Sequence, residues 1–355
     1  MNKAIPDRKK TTALARQVGV DFGAALTVAL AYVGDRLGIF RSMASGESFT
    51  SQQLAEHTGL NERYLREWAS TMAAAGYLEY QAVDKTFRMN PEQSVVLTDE
   101  HSVFFSAGSF QYAVGCYAQI SKLMNAFGQG GGVPFADFGK DIVEGIERLF
   151  QAGYETWVAR EWIPAVPQLQ ERLFSGAEVA EVGCGSGQCI VPLAVAFPRS
   201  RFFGYDIDPS SIERAKDKAS RAGIERRVTF ELVAAEALPE NRFDLAMAFN
   251  CIHDMAHPRA ALRGICKALK PGGVMLWSEA DASDRLEENM GVRGRTLYAA
   301  STMHCMTVSL ASGGEGLGVV VGENRMREMA REAGFSTVAR LSVENPYHQI
   351  LVLRS

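Results

Sequence analysis

From about residue 178 onward the chain alternates short β-branched or aromatic runs with helical runs, and this alternation restricts the fold more than any other feature. Strands joined through helices need crossover connections, which build a parallel sheet covered on both faces. The spacing predicts strands over 179–182, 201–205, 228–233, 243–249 and 274–278, with helices over 187–196, 209–222 and 258–269 between them. A helix over 323–333 and late strands over 337–342 and 348–353 bring the predicted sheet to seven strands. The expected class is α/β, a Rossmann-like seven-stranded sheet behind an N-terminal, mainly helical winged-helix and dimerisation domain.

The first predicted strand runs into Glu181-Val182-Gly183-Cys184-Gly185-Ser186-Gly187. Three glycines at alternate positions let the backbone turn sharply and approach a ligand at a helix N-terminus. A dinucleotide fingerprint would place glycine at 188, where this chain has Gln188, and a P-loop would continue into Gly-Lys-Ser/Thr. NAD and ATP are therefore set aside. The second strand ends in Gly204-Tyr205-Asp206-Ile207-Asp208-Pro209. Asp208 precedes Pro209 and suits a helix N-cap, which leaves Asp206 to accept the hydroxyl protons of a ribose.

In the N-terminal part, Thr50 or Ser51 can cap a helix, His57-Thr58-Gly59 makes a turn, and Asn61 caps a second helix carrying Leu65, Trp68, Ala69 and Met72 at helical spacing. Two short strand-like runs around Val83-Asp84-Lys85 complete a winged-helix pattern. Between Thr50 and Val95 the basic residues Arg63, Arg66, Lys85 and Arg88 are outnumbered by Glu56, Glu62, Glu67, Glu79, Asp84 and Glu92. The whole chain has net charge −4. Neither balance supplies the positive field that nucleic acid or an anionic membrane requires, so the unit reads as a packing or dimerisation module. The apolar run 22–34, bounded by Asp21 and Asp35, is shorter than the roughly 20 residues of a membrane span and reads as a buried or interface helix, with a homodimer as the expected assembly. The N-terminal stretch with Lys3, Arg8, Lys9 and Lys10 lacks the apolar core of a secretory signal. The six cysteines show no Cys-x-x-Cys pair, so neither a metal nor a disulfide framework is expected, and a cytoplasmic location follows. Periodicity is lost around the glycine-rich stretch 128–134, giving expected domains of 1–127, a connector 128–144, and 145–355.

Glu181 to Gly187, Asp206, Phe243-Asp244-Leu245 and Leu269-Lys270-Pro271-Gly272-Gly273 together resemble the motifs of class I S-adenosylmethionine-dependent methyltransferases. The N-terminal unit, Cys251-Ile252-His253-Asp254-Met255 and the late Gly316-Leu317-Gly318 resemble a bacterial winged-helix subgroup acting on small molecules, and the chain is also similar to methylthiohydroxybutyrate S-methyltransferases of dimethylsulfoniopropionate synthesis. The resemblance implies S-adenosyl-L-methionine as cofactor, with Gly183, Gly185 and Gly187 lining its methionine part, Glu181 near its amino group, Asp206 on the ribose, Ile207 on an adenine face and the Asn250 carbonyl near the amino group. Where many relatives place Asp after the third strand, this chain has Ala234-Ala235-Glu236, so Ala235 and Glu236 become the adenine contacts.

On the acceptor side, His253 and Asp254 follow the fourth strand and are the candidate base and its neighbour. A helix over 141–163 carries Val143, Ile146, Phe150, Tyr154 and Trp157 on one stripe, which on continuation reaches Arg160. Tyr154 and Trp157 would wall a sulfur, and a guanidinium there would grip a carboxylate. His304, Arg293, Arg295 and Tyr298 form a second acceptor group, with Tyr347 and His348 as further candidates. The specific expectation is S-methylation of 4-methylthio-2-hydroxybutyrate, a carboxylated thioether. An aromatic O- or N-methyltransferase using His253 and an S-adenosylmethionine-sensing regulator are the alternatives.

Overall fold

The computed structural model describes residues 6–345 and 347–355; Lys3 and the rest of 1–5, with Pro346, lie outside the described residues. In chain order the helices and strands are α1 (Arg8–Arg36), α2 (Ile39–Ser42), α3 (Ser51–Thr58), α4 (Glu62–Ala74), β1 (Glu79–Gln81), β2 (Thr86–Arg88), α5 (Pro91–Leu97), α6 (Gly108–Tyr117), α7 (Ile120–Gln129), α8 (Gly139–Gly153), α9 (Leu169–Ser175), β3 (Glu178–Val182), α10 (Ile190–Ala196), β4 (Arg201–Asp206), α11 (Pro209–Arg221), β5 (Val228–Leu232), β6 (Phe243–Phe249), α12 (Pro258–Ala268), β7 (Leu269–Ala280), α13 (Val292–Ala300), α14 (Met306–Ala311), α15 (Glu323–Glu332), β8 (Thr337–Arg340) and β9 (His348–Arg354). Two π-helical segments, Tyr154–Trp162 and Ser301–Cys305, continue α8 and α13.

The described chain forms two compact units, one running to Gly115 and taking in Lys140–Leu149, the other comprising Cys116–Gly139 and Phe150–Ser355. In the first, Thr50 caps α3 in a reciprocal capping box with Gln53, and Asn61 caps α4 through the amides of Arg63 and Tyr64. Leu54, Leu65, Trp68, Ala69 and Met72 then share a core with Phe40, Met43 and Met89. Arg63 and Arg66 on α4 form ion pairs with Glu67 and Glu62. The helix α1 extends well beyond the apolar run noted in the sequence, and by length and composition alone it could cross a membrane. Leu14, Val18, Phe22 and Leu26, four residues apart, are all exposed on it. The expected burial of this helix is therefore not met within the chain. Ala31 and Gly34 are the exceptions, both buried, and Gly34 packs close to the Trp68 ring.

In the second unit the strand order is β5-β4-β3-β6-β7-β9-β8, parallel except that β9 runs antiparallel to β7 and β8. Alternate residues of β3 and β6 face different layers: Val179, Leu245 and Met247 pack with α10 and α11, whereas Ala180, Ala246 and Ala248 pack with α12 and α15. The order reverses between β3 and β6, so the crevice at their C-terminal ends is the place where an open α/β sheet binds ligands. The glycine-rich stretch lies inside this second unit, not at a boundary between the two. Val133 donates to the Thr307 carbonyl at 3.1 Å, and a β-carbon on Gly132 would meet that oxygen at 2.0 Å.

A β-carbon at Gly34 would stand 2.3 Å from the Trp68 ring. Overpacking of this kind costs about 1–3 kcal/mol, and the helix propensity gained over glycine returns at most about 1 kcal/mol. Gly34→Ala should accordingly lower the thermal midpoint of the first unit, followed by circular dichroism; an unchanged or raised midpoint would contradict the close packing.

Candidate functional site

The turn after β3 is shaped by positive φ at Gly183 (66°), Gly185 (52°) and Gly187 (77°), conformations that favour glycine. At Gly183 space is also limiting, because a β-carbon would lie 2.6 Å from the Cys251 β-carbon. Asp206 ties this turn to the next one: its carboxylate accepts the Gly185 amide and the Asp208 amide, each at 2.9 Å. Burial raises the Asp206 pKa, although these backbone bonds pull it down. A carboxylate offers about four acceptor positions, so capacity remains for a ribose hydroxyl beside the backbone donors. Asp208 caps α11 by accepting the Ser211 amide, and Ile207 beside it is 75% exposed.

Glu181 is buried and accepts the Ile190 amide at the start of α10 at 3.1 Å. Burial pushes its carboxyl up to about 8, with Asp206 adding to the effect. Ala235 is buried in a short 3-10 turn pinned against Gly264, whereas Glu236 is exposed. Asn250 follows β6 with φ of 50° and donates through Nδ2 to the Tyr154 hydroxyl at 2.9 Å. His348 Nε2 lies 2.9 Å from the same nitrogen.

His253 is buried, with Nδ1 hydrogen-bonded to the fully buried Glu279 and Nε2 3.2 Å from Asp254. Glu279 also accepts from Trp277 Nε1 at 2.8 Å. Burial opposes the imidazolium, but the carboxylates of Asp254 and Glu279 outweigh it and hold the His253 pKa well above the usual histidine value. Asp254 is lowered: burial works against ionisation, and His253 overcomes it. His304 is buried edge-on to Phe138 at 4.9 Å between ring centres, and burial lowers its pKa. Oxygen, nitrogen and sulfur atoms of Asp254, His253 and Cys305 lie within 4.8 Å of one another.

The structure thus brings Glu181, the three glycines, Asp206 and Ile207 to one crevice, and joins Asn250 to Tyr154. The expected acceptor cations are exposed or already paired. The π-helical segment changes the repeat beyond Gly153, so Val158 and Trp162 are buried and the apolar stripe does not continue to Arg160, which is exposed. Arg293 pairs with Asp281 at 3.3 Å and donates to the Tyr347 carbonyl, and Tyr298 accepts from Asn289 at 3.3 Å. The Trp157 ring lies tilted beside Tyr347 at 6.0 Å and edge-on to His348 at 6.1 Å between centres. Glu279 was missed by the sequence reading, although one acid inside the apolar run Val274 to Ala280 was its signal.

The fold and crevice define a class, the methyltransferase fold behind an N-terminal winged helix-turn-helix domain. Residues 173–334 match the family profile described as a methyltransferase domain, and residues 24–99 match the Rv2258c-like winged HTH domain. Over 103 residues, 28% of this chain and 38% of the relative, the sequence is 32% identical to 27-O-demethylrifamycin SV methyltransferase of Amycolatopsis mediterranei. The chain aligns with such relatives over only about two fifths to just over half of their own length. Human N-acetylserotonin methyltransferase, solved in complex with SAM, superposes with a TM-score of 0.71 and 18% identity over 99% of each chain. The mitomycin 7-O-methyltransferase gives 0.71 and 19% over 98% of this chain and 100% of its own.

Because the Glu181 pKa is raised on folding, the native state holds a proton there that an unfolded chain releases. Its stabilising contribution is complete below the ordinary carboxyl range and is lost as pH rises through about 8. Glu181→Gln removes that loss, so its melting temperature relative to the unmodified chain should increase between pH 5 and pH 8; a constant difference would argue against a buried, protonated carboxyl.

Proposed function

We propose that this chain is a cytoplasmic S-adenosylmethionine-dependent methyltransferase acting on the hydroxyl group of a small molecule. The observation that carries the donor half is the Gly183–Gly187 turn strapped to Asp206, with Glu181 buried behind it. These residues fit the group: the turn admits close backbone approach, Asp206 keeps acceptor capacity for a ribose hydroxyl, and Glu181 offers a carboxyl to an ammonium. Ile207 presents an apolar surface for a purine, and Ala235 and Glu236, which follow β5, are the proposed adenine contacts. When bound, the donor supplies a methyl group on an electron-poor sulfonium. The six free cysteines suit a reducing compartment.

The acceptor half rests on His253. A hydroxyl must lose its proton as its oxygen takes the methyl group, and the His253–Asp254 pair is the available acceptor, with Glu279 fixing the ring from behind. S-methylation of 4-methylthio-2-hydroxybutyrate gains no comparable support, because Arg160 is exposed and Arg293 is engaged by Asp281. An uncharged or phenolic acceptor suits a site whose ionisable side chains are mainly carboxylates. The uncovered α1 stripe of Leu14, Val18, Phe22 and Leu26 supports a homodimer, since a self-complementary apolar helix face is buried by a second copy of itself. Phe22→Glu combined with Leu26→Glu should sediment as a monomer where the unmodified chain sediments as a dimer; equal sedimentation would remove this role.

Calorimetric titration with S-adenosylhomocysteine tests the donor reading. Binding should release protons near pH 7, because an ammonium beside Glu181 favours its ionised form, and repeating the titration in buffers of different ionisation enthalpy measures that release. No heat of binding would end the donor reading, while binding without proton release would move the ammonium away from Glu181. On a phenol panel, kcat/KM should rise with pH along a limb displaced above the usual histidine range, because His253 must be neutral to accept a proton and its pKa is raised. His253→Ala should remove the limb and lower kcat by about 10²–10⁴-fold; retention of the limb would transfer the role to another group.

A further inference from the structure

Three residues distant in sequence meet at the end of β6, and their hydrogen bonding is over-determined. The Asn250 amide nitrogen has two hydrogens. One goes to the Tyr154 oxygen and the other points to His348 Nε2, both at 2.9 Å. His348 is buried in β9, and burial, with Arg293 adding to it, holds its pKa at about 4. It is therefore neutral, with a lone pair on Nε2 and its hydrogen on Nδ1, 3.3 Å from Asn345 Oδ1. Only the amide nitrogen of Asn250 can satisfy that lone pair, which fixes the orientation of the amide.

The consequence falls on Tyr154. One lone pair of its oxygen is taken by Asn250, so its own proton is available for donation. Burial holds the phenol pKa well above its ordinary value, and Cys189, Glu181 and Cys251, which border the glycine turn, are the thiol and carboxyl groups within its electrostatic reach. We infer that Tyr154, Asn250 and His348 form a positioning relay whose function is to aim the Tyr154 hydroxyl at the methionyl carboxylate of the methyl donor. Tyr154 then belongs to the donor side of the crevice and not to the wall of a sulfur acceptor. The relay rests on the methyl-donor reading above and adds His348, from the last strand, to the residues that serve it.

Calorimetry of the full chain with S-adenosylhomocysteine, alongside steady-state kinetics, tests the relay. Tyr154→Phe should weaken binding roughly tenfold, the effect of losing one hydrogen bond to a charged group, and raise the donor KM while leaving kcat and the acceptor KM within about twofold. His348→Leu should weaken binding several-fold, His348→Gln should restore it through an acceptor oxygen for Asn250, and His348→Leu should add nothing in the Tyr154→Phe background. Should His348→Leu fail to fold, the Tyr154→Phe affinity decides alone. Unchanged affinity in Tyr154→Phe, an additive loss in the double variant, or no rescue by glutamine overturns the relay while the donor reading stands. Failure of the unmodified chain to bind overturns both.

Discussion

The Asp206 carboxylate is the interaction on which the crevice depends. It closes two strand-end turns with one side chain, taking the Gly185 amide from the β3 turn and the Asp208 amide from its own. The backbone reinforces the closure, since the amides of Gly183 and Cys184 both donate to the Tyr205 carbonyl. A glycine-rich turn with positive φ at three positions has high conformational entropy when free. Strapping it to the neighbouring parallel strand keeps its amides and its close approach in place before any ligand arrives. Asp208 contributes indirectly, because capping α11 leaves the strap to Asp206.

Electrostatics in the crevice follow from burial more than from pairing. Glu181 and Asp206 lie in the same crevice, and burial raises both. Their joint preference for protons would be relieved by a positive charge placed beside them. Around His253 the balance is the opposite. There His253 sits between Glu279 and Asp254, and the charge of the two acids stabilises an imidazolium that burial alone would forbid. The same clamp that orients the ring also raises its basicity and favours its protonated form, so less of the neutral ring is present to accept a proton.

Much of this was legible in the sequence because it is local. The seven strands, the Asn61 and Asp208 caps and the glycine turn each follow from spacing within a few residues. The pairings that reach across the fold were not legible. Glu279 meets His253 only because β6 and β7 are neighbours in the sheet, and His348 meets Asn250 only because β9 lies antiparallel beside β7. Arg160 failed for a different reason. An α-helical repeat was extended through a segment that is π-helical, and one extra residue per turn is enough to move a side chain off the stripe.

That segment carries a wider implication for how the site is built. Both π-helical stretches, Tyr154–Trp162 and Ser301–Cys305, hold residues of the crevice: Tyr154 in the first, His304 and Cys305 in the second. A π turn loses hydrogen-bond geometry relative to an α turn, so its persistence requires compensating packing. In the first stretch Trp162 supplies it, fully buried and edge-on to Phe249 at 5.3 Å. In the second, His304 does so against Phe138. The widened turns change which residues of one helix reach the core and which reach the crevice. In the first stretch Val158 and Trp162 are buried in the core, while Tyr154 at its start is only half-buried. The Tyr154 hydroxyl meets Asn250 at the start of a segment whose later residues anchor it in the core.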